Sequence, residues 1–281
     1  MSRVFRFPAL ALAAMLPLAA LAEVAVPSSQ AEIALSFSPV VKQAAPAVVN
    51  IYARQIVQDR SSPFAGDPFF DQFFQDFASG PPRVQNSLGS GVIVSPEGIV
   101  VSNHHVIADA TDIRIVLADR REYSATVLLD DPQSDLAILK VDADEPLPAL
   151  ALADSEALEV GDLVLAIGNP FGVGQTVSSG IVSGLARSAL QVGDGSGYFV
   201  QTDAPINPGN SGGALVDMAG RLVGINTAIV TRDGGSNGIG FAIPSNLVAA
   251  VMAQAQAGES RFTRPWAGLS GQEVDDALAE A

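Results

Sequence analysis

Short apolar segments rich in β-branched residues recur along the chain from Leu88 onwards, separated by glycine, proline, asparagine and aspartate. Two of them, residues 92–94 and 99–101, are joined by the tetrapeptide SPEG, whose proline and glycine suit a β-turn. Short strands at such regular spacing are typical of antiparallel barrels. The sequence therefore predicts an all-β fold with a pair of barrels. The other strand candidates are residues 113–117, 125–129, 136–141, 163–167, 176–182, 199–202, 214–216, 222–226 and 239–243.

A serine flanked by glycines leads directly into one of these strand candidates, in the segment NPGNSGGALV at residues 207–216. Glycines on both sides allow backbone dihedral angles that other residues avoid, and they let another chain approach closely, which suits an exposed nucleophile. A serine hydroxyl is a weak nucleophile at its own pKa. Ser211 therefore needs a base, a group that orients the base, and amide donors for the developing oxyanion.

Only two histidines can supply that base, and they are adjacent in the chain: His104 and His105. Neighbouring side chains on a strand point to opposite faces, so a strand here would let only one of them meet the serine. An acid follows at the start of the run DLAIL, where Asp135 competes with Asp130 and Asp131. The order histidine, aspartate, serine is that of the two-barrel serine proteases.

Two other interpretations compete with such a triad. The sequence GNSGG also matches the G-x-S-x-G nucleophile elbow of α/β-hydrolases, but that fold places its histidine after the serine, and both histidines here precede Ser211. A metal site at the histidine pair is weak, because the chain has no cysteine and neighbouring side chains diverge. We therefore expect no metal and no other cofactor.

The chain resembles the HtrA/Do-type serine proteases of bacterial envelopes and organelles. The resemblance extends from about residue 36 to the C-terminus, and it implies a trypsin-like protease domain at residues 36–258. This domain would consist of two six-stranded antiparallel β-barrels with the site in the cleft between them. The resemblance is carried by four segments, residues 102–106 (SNHHV), 131–139 (DPQSDLAIL), 209–214 (GNSGGA) and 237–244 (NGIGFAIP).

The resemblance also implies the members of the catalytic triad. The pattern Thr/Ser-Asn-x-His-Val makes His105 the base and His104 its variable neighbour. The pattern Asp-x-x-x-Asp-Leu-Ala makes Asp135 the acid that holds the imidazole in its productive tautomer. Ser211 is then the nucleophile.

Oxyanion and substrate contacts follow from the same resemblance. The oxyanion hole would be formed at Gly209, Asn210 and Ser211, by the amides of the first and last with the asparagine between them. Apolar Ile206 suggests that the substrate residue before the cleaved bond (P1) is small and aliphatic. The predicted substrate-binding residues are Ile206, Thr227, Ile229 and Ile239.

Three stretches fall outside the barrel pattern. Residues 39–45 predict a short helix, and a second helix, with Ser245 as N-cap and an end near Gly258, would close the second barrel. At about residues 59–86 the sequence is rich in phenylalanine, with interspersed acids between turn residues, which predicts a long surface loop. In the resembled family a loop here reaches towards a neighbouring subunit. Residues 259–281 resemble a linker and the start of a truncated PDZ domain.

The N-terminus and the composition indicate the compartment. Residues 1–22 carry two arginines, an apolar run and the final sequence ALA, the pattern of a cleaved secretory signal peptide. Prolines interrupt this run, so no stable membrane anchor is expected. The formal net charge of −15 makes nucleic acid a poor partner, and the absence of cysteine excludes disulfides. These features fit a periplasmic protein.

The resemblance implies an endopeptidase that degrades misfolded or unfolded envelope proteins, and we expect it to be ATP-independent. ATP independence follows from the absence of a G-x-x-x-x-G-K-S/T loop. We expect a homo-oligomer, a trimer or a multiple of one. The alternative is a holdase, a chaperone without proteolytic activity that binds unfolded chains through the phenylalanine-rich stretch.

Overall fold

The computed structural model describes residues 36–57, 83–169, 174–187, 191–192, 195–196, 198–207, 209–229, 237–264 and 268. Three predictions lie wholly or mostly outside these residues: the signal peptide at 1–22, the phenylalanine-rich loop at about 59–86, and the start of a PDZ domain beyond Arg264. The last residues of the predicted loop, 83–86, are described, and they belong to a strand instead. Among the helices that the structure describes, none is both long and apolar enough to cross a membrane.

The first barrel is built from six strands. They are β1 (Val48–Val57), β2 (Arg83–Ser95), β3 (Ile99–Ser102), β4 (Asp112–Val116), β5 (Glu122–Asp131) and β6 (Leu136–Val141). All neighbouring strands are antiparallel, and the sheet closes in the order β1-β2-β3-β6-β5-β4. Strand β4 alternates between buried and more exposed side chains, which places Ile113 and Ile115 inside the barrel.

The second barrel also has six strands, and a separate two-stranded sheet is inserted in its sequence. In chain order the elements are β7 (Leu163–Gly168), β8 (Thr176–Arg187), β9 (Gln191–Val192), β10 (Gly195–Ser196), β11 (Phe199–Thr202), β12 (Ala214–Val216), β13 (Leu222–Ile229) and β14 (Gly240–Pro244). Strands β9 and β10 pair with each other, and the barrel closes in the order β11-β14-β13-β12-β7-β8. The prediction of two six-stranded antiparallel barrels is confirmed.

Within the described residues, three α-helices accompany the barrels: α1 (Ser38–Ala44), α2 (His104–Ile107) and α3 (Ser245–Gln256). Short 3₁₀ turns cover Ala45–Ala47 and Ser155–Ala157. The two predicted helices are confirmed, but the predicted N-cap is wrong. Strand β14 runs directly into α3, so Pro244 takes the N-cap position, and the hydroxyl of Ser245 donates to the carbonyl of Ala153 at 2.7 Å.

The two barrels share a continuous apolar core. A single cluster of buried side chains includes Leu139 and Ile93 from the first barrel and Ile167 and Ile225 from the second. Helix α3 lies across the junction, because it contacts β5 and β6 on one side and β13 and β14 on the other. Burial of this apolar surface stabilises the docking of one barrel on the other, at about 25 cal/mol per Å². The seam between the barrels therefore has a fixed geometry, which matters for the side chains that meet there.

Candidate active site

His105 and Asp135 form a close pair in the first barrel. His105 belongs to α2, the turn after β3, and Asp135 immediately precedes β6, the strand that pairs with β3. The ring Nδ1 of His105 lies 2.9 Å from Oδ1 and 2.8 Å from Oδ2 of the carboxylate. The backbone N–H of His105 also donates to Oδ1, at 3.0 Å. This arrangement makes Nδ1 the donor to the acid and leaves Nε2 as the basic nitrogen of a neutral ring.

The backbone of Asp135 is held in an unusual conformation. Its φ of 55° lies in the left-handed region, which aspartate tolerates better than most residues. Its carbonyl accepts a hydrogen bond from Asn103 Nδ2 at 2.9 Å and another from the backbone N–H of His104 at 3.2 Å. These bonds tie the turn that carries the acid to the turn that carries the histidine.

Burial and hydrogen bonding act in opposite directions on the Asp135 carboxyl, which is 2 % exposed. Burial by itself would raise its pKa. The charge of His105 and the hydrogen bonds from His105 and Thr227 more than offset that effect, so the pKa of Asp135 lies below its ordinary value. The carboxylate is therefore ionised and is able to stabilise a protonated His105.

The two rival acids have other partners. Asp130 Oδ1 lies 2.7 Å from His104 Nδ1, and this hydrogen bond raises the pKa of His104. Asp131 accepts two hydrogen bonds from the guanidinium of Arg264, at 3.2 and 2.6 Å. Within the described residues, no group of three or more histidine and acidic side chains is placed to hold a metal ion.

The argument that the two histidines alternate on a strand is wrong. His104 and His105 both lie in α2, which begins directly after Asn103. The His104 ring reaches Asp130 at the end of β5, and the His105 ring reaches Asp135 in the turn before β6. They differ in partner instead, because His104 binds the more exposed Asp130 and His105 binds the buried Asp135.

Thr227 connects the acid to the serine across the seam between the barrels. It lies in β13, and its hydroxyl donates to Asp135 Oδ2 at 2.5 Å. Its carbonyl accepts a hydrogen bond from Ser211 Oγ at 3.3 Å. His105, Asp135, Thr227 and Ser211 are thus joined in one line of contacts. The resemblance predicted substrate contact for Thr227, and in the structure its hydroxyl is directed at the acid.

The backbone around Ser211 depends on its glycines. Gly209 has a φ of 92° and Gly212 a φ of 80°, both in the left-handed region that favours glycine. The N–H of Gly212 donates to the carbonyl of Asn226 at 2.8 Å, and the N–H of Gly213 donates to the carbonyl of Asn210 at 2.9 Å. Ser211 therefore sits in a tight turn, and its side chain is only partly buried.

Asn210 occupies the centre of the predicted oxyanion hole, but its own N–H is directed elsewhere. That N–H donates to the carbonyl of Asn207 at 3.0 Å. The Asn210 side chain is fully buried, and in this part of the described chain neither its Nδ2 nor its Oδ1 has a hydrogen-bond partner. It packs against the backbone of Gly168, where an added Cβ would lie 2.5 Å from Oδ1. Asn210 therefore acts as a spacer between Gly209 and Ser211.

The predicted substrate-binding isoleucines differ in exposure. Ile206 is 2 % exposed and packs on Gly240, where an added Cβ would lie 2.8 Å from its Cδ1. Ile239 is 38 % exposed, beside Gly240. The backbone of Ile229 ends β13, and its side chain lies outside the described part of the chain. The second barrel thus offers an apolar surface near residues 239–240.

Sequence reasoning missed one buried residue of the site, Ser90. It lies in β2, and its hydroxyl donates to the carbonyl of Gly209 at 2.7 Å. The available signal was a single polar residue between two glycines, in the run LGSGVIV of an otherwise apolar strand. Such a residue in a strand interior marks a place where another backbone approaches closely.

Comparisons with known proteins identify a matching domain family and similar proteins. The model of the trypsin-like peptidase domain matches residues 89–225. The chain is 48% identical over 221 residues to the periplasmic serine endoprotease DegP of Salmonella typhimurium, which covers 78% of this chain and 46% of that protein. It is 44% identical over 253 residues to the periplasmic pH-dependent serine endoprotease DegQ of Escherichia coli, with coverages of 88% and 53%.

Solved structures give the same relationship. The HtrA-type protease AlgW with a decapeptide is 46% identical and superposes with a TM-score of 0.70, covering 87% of this chain and 74% of that one. The chain spans about half the length of the curated relatives quoted above.

Proposed function

Because the chain belongs to the HtrA-type serine proteases with a trypsin-like peptidase domain, we propose that it is a serine endopeptidase that works through an acyl-enzyme. The observation that carries this proposal is the line of contacts from His105 through Asp135 and Thr227 to Ser211. It joins a base, an ionised acid and a hydroxyl that come from two barrels, in the chain order of the two-barrel proteases.

Each residue has a defined role in this mechanism. Ser211 Oγ attacks the scissile carbonyl while His105 Nε2 takes its proton, and the protonated ring then gives that proton to the leaving amine. Asp135 stabilises the imidazolium. The amides of Gly209 and Ser211 donate to the oxyanion of the tetrahedral intermediate. Water then hydrolyses the acyl-enzyme by the same proton transfers, which returns the free serine.

Small aliphatic side chains are the proposed P1 residues. Ile206 packs against the backbone at Gly240, so a bulky apolar side chain already occupies this side of the second barrel. Among the described residues, the buried cluster that contains Ile206 is apolar, so a charged P1 side chain would be disfavoured there. Valine, alanine and similar residues fit this environment.

Unfolded or misfolded envelope proteins are the proposed substrates, and the periplasm is the proposed compartment. The relatives named above are periplasmic endoproteases, which supports the compartment. The signal peptide at residues 1–22, a homo-oligomer and a PDZ domain that begins within residues 259–281 remain part of the proposal. Because relatives of this kind are named as endoproteases, the holdase alternative is not favoured.

Turnover of unfolded casein tests the proposal. We expect the wild-type chain to cleave casein without ATP and to lose that activity after treatment with a serine-directed phosphonate. The variants Ser211→Ala and His105→Ala should both fold and both lack proteolysis, whereas His104→Ala should keep most of it. Suppression of casein aggregation without cleavage, insensitive to the phosphonate, would instead support the holdase.

A further inference from the structure

Ser90 makes four hydrogen bonds from a fully buried position in β2. Its hydroxyl donates to the carbonyl of Gly209 at 2.7 Å and accepts from the backbone N–H of Asn169 at 2.9 Å. Its own N–H donates to the carbonyl of Ser211 at 2.9 Å. Its carbonyl accepts from the hydroxyl of Ser102 at 2.7 Å. One residue of the first barrel is therefore bonded to both ends of the nucleophile turn in the second barrel.

These bonds hold two peptide groups at both of their ends. In the peptide between Gly209 and Asn210, the carbonyl accepts from Ser90 Oγ and the N–H donates to Asn207. In the peptide between Ser211 and Gly212, the carbonyl accepts from Ser90 N and the N–H donates to Asn226. Because a peptide group is planar, fixing both ends fixes the orientation of the whole unit.

The peptide between these two carries the N–H of Ser211. Its carbonyl, that of Asn210, accepts from the N–H of Gly213, and the two ends of a trans peptide point in opposite directions. The N–H of Ser211 is thus turned away from Gly213. Its direction depends on the two flanking peptides, and both of those are bonded to Ser90.

The hydroxyl of Ser90 also fixes the end of β7. It accepts from Asn169, the residue after Gly168, and the Gly168 backbone packs directly on Asn210. The nucleophile turn is therefore held by the same hydroxyl from two sides, through Gly209 directly and through the β7 end beneath Asn210. An alanine at position 90 would keep the backbone bonds and remove both bonds of the hydroxyl.

We infer that Ser90 is a positioning residue for the oxyanion hole, whose hydroxyl sets the orientation of the Ser211 amide from the opposite barrel. This inference rests on the proposed function. It assigns to Ser90 no contact with substrate. Its loss weakens binding of the tetrahedral intermediate and leaves binding of the ground-state substrate nearly unchanged.

The test compares Ser90→Ala with Ser245→Ala in the full chain. Ser245 is the matched control, because it is also fully buried and its hydroxyl also donates to a backbone carbonyl at 2.7 Å, but at the start of α3. Measurements are kcat and KM on a fluorogenic peptide with valine at P1, the Ki of a valine peptide boronate, which forms a tetrahedral adduct with a catalytic serine, and Tm. Active sites are counted by phosphonate titration, so unfolded protein does not enter the rates.

Removal of one oxyanion donor costs about 100-fold or more in kcat. Misorientation of the Ser211 donor in Ser90→Ala should therefore lower kcat by about 10-fold and leave KM within about 2-fold of wild type. The boronate Ki should rise by the same factor as kcat/KM falls. Ser245→Ala should lower Tm somewhat less than Ser90→Ala, because its hydroxyl makes one bond rather than two, and should leave kcat and Ki within about 2-fold of wild type.

Three results would overturn the inference while leaving the proposed function intact. The first is that Ser90→Ala has the same kcat and Ki as Ser245→Ala. The second is that Ser90→Ala raises only KM, and the third is that it lowers kcat without weakening boronate binding. Loss of the proposed function is recognised separately, because the wild-type chain would then show no phosphonate-sensitive turnover. If Ser90→Ala does not fold, Ser90→Cys keeps a weaker donor at the position. The inference then requires a reduced kcat and weaker boronate binding in Ser90→Cys, and wild-type values for this variant overturn it.

Discussion

The bond between Thr227 and Asp135 gives the sharpest test of the electrostatics of the site. Thr227→Val replaces the hydroxyl by a methyl group of similar size and leaves the backbone carbonyl that accepts from Ser211 Oγ. It removes one donor from a carboxylate that is 2 % exposed, while the two donors of His105 remain. A hydrogen bond to a charged group is worth about 1.5 to 3 kcal/mol. We therefore expect the free energy of unfolding to fall by about 2 kcal/mol, roughly 30-fold in the equilibrium constant.

The pH dependence of this loss identifies its cause. The pKa of Asp135 lies below its ordinary value of 3.8, so the bonds to its charged form stabilise the fold above that pH and are lost as the pH falls through the native pKa. The deficit of Thr227→Val should thus be constant above pH 3.8 and should shrink only as the pH falls through the native pKa. Urea unfolding across this range measures it.

Thr202→Val serves as the control for that experiment. Thr202 is buried, and its hydroxyl donates to the carbonyl of Ile181 and accepts from the N–H of Ala204, so no charged group is involved. Its deficit should not depend on pH in the acid range. In the peptidase assay Thr227→Val should lower kcat by about 10-fold, far less than the 10⁴-fold typical of losing the acid itself. A deficit below about 0.5 kcal/mol at neutral pH, or one that grows as the pH falls below 3.8, would refute the role of this bond.

Three further predictions follow from other parts of the molecule. Asp130→Asn should destabilise the chain by about 0.5 to 1 kcal/mol at pH 5.5 and by almost nothing at pH 9. Asp130 raises the pKa of His104 above 6.5, and the resulting stabilisation is lost as the pH rises through the native pKa. Urea unfolding at both pH values measures the loss, and equal losses would contradict the prediction. Gly168→Ala should lower kcat without abolishing folding. The added Cβ would lie 2.7 Å from the Cα of Asn210 and would displace the nucleophile turn. Unchanged peptide cleavage would show that the turn adapts. Deletion of residues 64–77 should leave a folded protease with smaller assemblies or altered basal activity; sedimentation and peptide cleavage identical to wild type would show a passive loop.

The strands of the barrels were predictable where apolar residues are buried and bounded by turn residues. The observed ranges of β6, β11 and β12 coincide with the predicted residues 136–141, 199–202 and 214–216. Strands β9 and β10 were missed, because QV and GS carry no alternation and form a sheet only with each other. The short turn α2 was also missed, since four residues are too few for a helical period to appear.

The site was predictable as a set of residues but not as a set of contacts. The segments around His105, Asp135 and Ser211 have recognisable patterns, whereas the bond from Thr227 to Asp135 joins residues 92 positions apart. The bond from Ser90 to Gly209 spans 119 positions. Such contacts arise from the docking of one closed barrel on another. The local sequence does not indicate which residues meet when the barrels dock, except by a single serine or threonine within an apolar strand.

The order of the barrels in the chain has a consequence for the time at which activity can arise. The first barrel is complete in sequence at Val141, and the second begins only at Leu163. Proteins are synthesised from the N-terminus, so the proposed base and acid are present long before the ribosome reaches Ser211, Thr227 and the closing strand β14. A nascent chain at that stage has the proposed histidine–aspartate pair and lacks the proposed nucleophile. The proposed peptidase activity can therefore arise only after the second barrel has been synthesised.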